Sequence, residues 1–194
     1  MNGTNRGADD GKQHEAEDEG RITMMESRDM FDLLQTDTNA WVEQADELFL
    51  SAKLVESKFK DVQRMPALVS NFRQQQLAFF NSFMMVTAFA FENLIKGLGV
   101  AKGMHWKNDF GEEGGHGIAN YVHKVTSVSA EEKDLLTRLQ VFSIWAGRYP
   151  MLTSPEKYRA DAPRRRFSFS KDVDLIEALS SRLKSEIRSA RSVK

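Results

Sequence analysis

The chain has 194 residues, long enough for one domain with a substantial core. Its formal net charge of −1 argues against a global pull toward nucleic acid or membrane, and the absence of cysteine excludes disulfides and thiolate chemistry. Only four prolines occur, and no stretch alternates apolar and polar residues for the length of a strand, so the expected class is all-α, an up-and-down helical bundle.

Residues 1 to 23 are polar and acidic, with Asp9, Asp10, Glu15, Glu17, Asp18 and Glu19. Such a segment buries too little apolar surface to offset its ordering entropy, so a disordered tail is expected ahead of one bundle domain over 24–194. The tail has no apolar run of the kind a secretory signal carries, which together with the missing cysteines predicts a cytoplasmic protein. Met24 to Gln35 reads as a short amphipathic piece. The cluster Thr36-Asp37-Thr38-Asn39 then supplies helix-capping residues. Behind it, Trp41, Ala45, Leu48, Ala52, Val55, Phe59 and Val62 recur at steps of four and three. That narrow stripe predicts a helix lying along a partner helix, with a turn at Met65-Pro66.

The partner is the most apolar segment, Gln76 to Gly97, expected as a central helix over about residues 70–102. Apolar residues fill nearly all its faces, so other elements must cover it. Asn81, Ser82 and Thr87 interrupt the run and Glu92 and Lys96 close it, which favours a core helix over a membrane span. The glycines from Gly97 to Gly103 suit helix termination, and the nearby Gly97-x-Gly99 is no dinucleotide loop because it follows a helix. A flexible loop is expected from Met104 to Gly115, then a short helix from His116 to Val125. Ser129-Ala-Glu-Glu132 has the capping-box pattern and opens a helix carrying Leu135, Leu136, Leu139, Phe142, Trp145 and Ala146. Gly147-Arg148-Tyr149-Pro150 ends it, and a loop with Thr153, Ser154, Pro155 and Pro163 follows. The last helix spans about Asp172 to Ala190, with Leu175, Leu179, Leu183 and Ile187 in one row. That row must be covered, either by its own bundle or by a second copy in a homodimer.

Candidate functional residues are few. Glu92 and Lys96 are four apart on an apolar helix, which reads either as an end-of-helix ion pair or as a polar pocket. Arg148 ends its helix, where a cation suits the dipole, and beside Tyr149 it also makes a phosphate or nucleotide handle. Arg164-Arg165-Arg166 followed by Phe167-Ser168-Phe169 reads as a solvated basic loop anchored by its phenylalanines, or as a phosphate and base holder. Residues 164 to 194 carry nine basic and four acidic side chains, opposite in balance to the N-terminal tail. No cofactor is implied, and no metal either. His116 and His123 are seven apart, whereas metal-binding helices place ligands three or four apart.

Two segments together resemble the HEPN superfamily, an all-α group named for nucleotide binding in higher eukaryotes and prokaryotes. One is Ala90-Phe91-Glu92-Asn93-Leu94-Ile95-Lys96-Gly97-Leu98, similar to that family's apolar helix with an embedded Glu and Lys. The other runs from His116 through Ser129-Ala-Glu-Glu132, Leu135, Leu136 and Leu139 to Ala146-Gly147-Arg148-Tyr149-Pro150. The likeness covers roughly residues 40 to 150. Many members are metal-independent ribonucleases of toxin–antitoxin and phage-defence systems, with an Arg, a polar residue and a His a few positions on. Here Arg148 matches the Arg, but no histidine follows His123. The resemblance therefore implies a non-catalytic, often dimeric module that binds a nucleotide, RNA or protein partner in such a setting. Arg148, Tyr149, Lys96, Glu92 and His116 would form its site. The alternative is a divergent ribonuclease in which His116 serves as an unconventional acid or base.

Overall fold

The structure, a computed structural model, describes residues 33, 35–66, 70–105, 109, 116–148 and 154–192. The chain divides into two units, Met1–Asp37 and Thr38–Lys194. In the first, the described residues form a helical turn in which the Asp37 amide and the Thr36 hydroxyl both donate to the Leu33 carbonyl. The tail expected over residues 1 to 23 lies outside the described residues.

The second unit is a helical bundle, and no strand occurs among the described residues. Its elements are α1 (Thr38–Gln63), α2 (Phe72–Ala101), α3 (Ile118–Val125), α4 (Ala130–Val141), a π-helical turn (Phe142–Ala146), α5 (Pro155–Asp161), a 3-10 turn (Ala162–Arg164) and α6 (Phe169–Ser192). α1 lies along α2, as its stripe predicts, burying Ala45, Ala52, Phe59 and Val62. Gly97 lets the two helices approach, because a methyl group there would meet Trp41 Cβ at 2.9 Å. α2 is long and apolar enough to cross a membrane by length and composition, but 78% of its most apolar window is buried inside the bundle. It ends where the glycines predict, in a Schellman motif. Gly103 takes φ 85°, its amide donates to the Val100 carbonyl, and the Met104 amide donates to the Gly99 carbonyl.

α4 opens on the expected capping box. The Ser129 hydroxyl accepts from the Glu132 amide at 3.1 Å, and the Glu132 carboxylate accepts from the Ser129 amide at 2.8 Å. The helix does not continue to Ala146 in α form. From Phe142 it widens into a π turn closed by the Gly147 amide donating to the Phe142 carbonyl. The widening buries both Phe142 and Trp145 while leaving Ile144 exposed. Gly147 fits because a Cβ there would meet Met85 Cβ at 2.8 Å.

The loop expected after Pro150 contains α5 and the 3-10 turn instead. Ser154 caps α5 and Pro155 opens it, a start signal that stood without any apolar periodicity behind it. The row on α6 is covered by this chain's own bundle. Leu179, Leu183 and Ile187 are fully buried in the core with Leu94, Leu98 and Leu135, and Leu175 is half-buried. The row is therefore core packing and not a free seam for a second copy.

Candidate functional site

The last turns of α2 carry two charged side chains into the core. Glu92 is 8% exposed and Lys96 is 6% exposed. Four residues apart, they fall on one face, and Lys96 Nζ donates to Glu92 Oε1 at 2.6 Å. A buried carboxylate must have both oxygens engaged to offset its lost hydration. The second, Oε2, lies 2.8 Å from Nδ1 of His116, which stands just ahead of α3. Lys96 also sits 5.9 Å from the centre of the Trp41 ring, where the aromatic face attracts its charge. On α3, burial, reinforced by the charge of Glu92, pushes the Tyr121 phenol far above its ordinary range.

His116 faces both ways. Its side chain is 39% exposed, and because a carboxylate only accepts, the ring donates to Glu92 through Nδ1–H. Its ring meets the edge of Phe89 with centroids 5.6 Å apart. Phe89 lies three residues before Glu92, on the same side of α2. Arg148 lies over the same phenylalanine, its Cζ 6.0 Å from the ring centre. Its Nη2 donates to the Ser143 and Ile144 carbonyls, which satisfies groups left over by the π turn.

Of the five residues expected to line a site, the fold brings Glu92, Lys96 and His116 together by direct hydrogen bonds and sets Arg148 beside them through Phe89. Tyr149 lies outside the described residues. His123 is exposed on α3. The arrangement holds one buried carboxylate, one buried ammonium, one oriented imidazole and one guanidinium around an aromatic ring. It suits a ligand carrying negative charge.

A second ionic cluster was not anticipated. Arg138 on α4 donates to Asp172 on α6 through Nη1 at 2.9 Å and Nη2 at 2.8 Å, a bidentate pair at 7% and 5% side-chain exposure. Arg138 also donates to Asp134 at 2.9 Å and to the Arg166 carbonyl at 3.1 Å, while Asp172 accepts from the Ser168 amide at 2.5 Å. Burial alone would raise the Asp172 pKa, but the bonds from Arg138 and Ser168 and the charge of Arg138 outweigh it, and the net shift is downward. A cleft of about 450 Å³ runs beside this cluster, yet these charges are spent on one another. The sequence signal was Arg138 on an apolar face between Leu135 and Phe142. The basic tract is split as well. Arg164 pairs with Asp161 at 3.0 Å, Arg165 stacks on aromatic rings, and Phe167 packs edge-on against Phe83 with centroids 5.3 Å apart. Comparison with known protein families, with curated proteins and with solved structures finds no match to this chain.

Proposed function

We propose that this chain is a HEPN-like, non-catalytic binding module of the cytoplasm that recognises the phosphate of a nucleotide or RNA. The observation that carries the reading is the Phe89 ring shared by His116 and Arg148, directly beside the buried Glu92–Lys96 pair. The exposed Arg148 guanidinium puts positive charge on this face, and His116, oriented by the buried Glu92 carboxylate that also holds Lys96, adds a donor when both its ring nitrogens carry protons. Phosphate groups suit such a set through charge-assisted hydrogen bonds.

Calorimetry with mononucleotides and short RNAs tests it. The wild-type chain binds, and Arg148→Ala weakens binding by about tenfold or more, the scale of one charge-assisted hydrogen bond. Silence toward every nucleotide and RNA removes this reading and leaves a protein partner as the ligand.

One observation favours a second reading, a divergent metal-independent ribonuclease. The Glu92–His116 hydrogen bond is the kind that orients an imidazole for acid–base work. In that case Arg148 stabilises phosphate charge and His116 moves the proton. RNA cleavage in the presence of a chelator, lost in both His116→Ala and Arg148→Ala, would replace the binding module with this enzyme.

A further inference from the structure

The π turn, α2 and the 3-10 turn enclose a cleft of about 380 Å³, away from the residues of the proposed phosphate site. That volume suits one small organic molecule. Its walls mix polar surface, to which Asn81 and Arg165 belong, with a smaller apolar part that includes Phe80, the nearly buried edges of Phe142 and Trp145, and the exposed Leu77. Phe80 and Phe142 meet edge-to-face at 5.4 Å, so this wall is built and held. Trp145 is fixed in turn, its indole N–H donating to Asp161 Oδ2 at 3.0 Å.

Among the described residues that line this cleft the cation is Arg165. Its guanidinium carbon lies 4.4 Å from the Tyr158 ring centre and 5.3 Å from that of Trp145. Stacked on aromatic faces, a guanidinium keeps its N–H groups at its edge, where they match the oxygens of a carboxylate or phosphate. The neighbouring carboxylate does not take them. Asp161 spends Oδ2 on Trp145 and Oδ1 on Arg164. Arg165 Nε is buried, and no described residue accepts from it. A buried donor left without an acceptor is rare in folded proteins and calls for an explanation. The π-helical turn that supplies Phe142 and Trp145 adds a second reason to look here, because such turns recur at functional sites.

We infer that the cleft between α2, the π turn and Arg165 is a second binding site, for a small anion with a flat aromatic body. The oxyanion accepts from the Arg165 guanidinium, and the ring slides between Phe80 and Trp145, with Asn81 reaching it from α2. This site stands independently of the phosphate face around Phe89, since it shares no residue with it.

The test is titration calorimetry on the full chain with AMP, UMP, phenyl phosphate, benzoate and inorganic phosphate, using Arg165→Gln, Asn81→Asp and His116→Ala. At least one aromatic anion binds the wild type, and inorganic phosphate binds at least about tenfold more weakly because it lacks the ring. Arg165→Gln weakens the aromatic anion by about tenfold or more. Asn81→Asp does the same from the opposite wall by charge repulsion, and it carries the test if Arg165→Gln does not fold. His116→Ala, which touches neither the π turn nor the 3-10 turn, leaves the affinity of this cleft unchanged. Preference for AMP and UMP over phenyl phosphate marks a nucleotide as the source, and preference for phenyl phosphate or benzoate marks a simple aromatic acid. Absence of binding for all the aromatic probes overturns the inference. So does binding that folded Arg165→Gln and Asn81→Asp proteins both retain, or that His116→Ala abolishes.

Discussion

The two buried ionic clusters differ in what they leave over. Around Arg138 and Asp172 four of the five guanidinium N–H groups and both carboxylate oxygens are matched within the protein: two bonds between the pair, one from Arg138 to Asp134, one to the Arg166 carbonyl, and one from the Ser168 amide to Asp172. The partners come from α4, α6 and the segment between them, so the cluster ties separate elements together. Around Glu92 the first bond, to Lys96, is made within a single helix and joins nothing that was apart. The second goes to His116, whose side chain is 39% exposed. A closed set of charges fastens helices. An open set carries one prepared group to the surface, which is how a site differs from a strut.

The comparison requires α6 to be a core element of this bundle, because Asp172 rides on it. Leu179 and Leu183 are both fully buried. Leu179→Glu with Leu183→Glu places two unpaired carboxylates in the core, and the expected result is outright loss of folding, seen as collapse of helical circular dichroism and of cooperative unfolding. A folded, soluble monomer would mean that α6 faces a second copy, and the fastener would then have no fixed partner helix.

Next in size is the fastener itself. Asp172→Ala leaves the buried Arg138 with one carboxylate, exposed on the surface, and a cost of about 3–5 kcal/mol is expected from urea unfolding. Arg138→Met combined with Asp172→Leu recovers most of it, since a buried pair replaced by apolar volume is often neutral or better. The same pair sets an acid limit. The Asp172 pKa is lower in the folded chain than its ordinary value of 3.8. Its contribution to stability is therefore full at neutral pH, begins to fall below that ordinary value, and is lost as pH drops through the folded value. Asp172→Asn should flatten that part of the acid-unfolding curve. In the open cluster, Glu92→Gln keeps one acceptor oxygen but removes the negative charge beside Lys96. A smaller loss, about 1–3 kcal/mol by the same measurement, is expected.

Much of the fold was legible because its signals are local. The stripe from Trp41 to Val62, the Ser129–Glu132 box and the glycines around Gly103 each specify structure within a few residues. The row on α6 was legible as a face needing cover, but its cover was not, because the partner residues lie on α2, some 80 positions away in sequence. The π turn was illegible for a different reason. Leu135, Leu139, Phe142 and Trp145 fit α spacing, and the widened turn shows in the bond from the Gly147 amide to the Phe142 carbonyl, which no side-chain pattern announces. α5 buries no side chain, so it left no periodicity to read. In the site, Glu92 and Lys96 stood out as charges on an apolar helix. Phe89 looked like one more core aromatic, and nothing local distinguishes it as the ring between His116 and Arg148. Arg138 and Asp172 are 34 residues apart, and such a pairing is fixed by packing of α4 against α6, not by spacing.

The smallest expected effect on stability is also the sharpest test of the contrast. His116→Ala removes a half-exposed ring, so little apolar burial is lost. Glu92 keeps its bond to Lys96, and water reaches the freed Oε2 through the space the imidazole vacates. The hydrogen bond exchanged for one to water is worth about 1 kcal/mol or less, so urea unfolding of His116→Ala should sit close to that of the wild type. Anion binding at the Phe89 face should nevertheless fall, because the imidazole is the part of the cluster that reaches solvent. Stability and binding thus separate in this variant, whereas in Asp172→Ala stability alone carries the loss. If His116→Ala proved as destabilising as Asp172→Ala, the Glu92 cluster would be a fastener too, and its exposed histidine would be bracing a loop against α2 in place of serving a ligand.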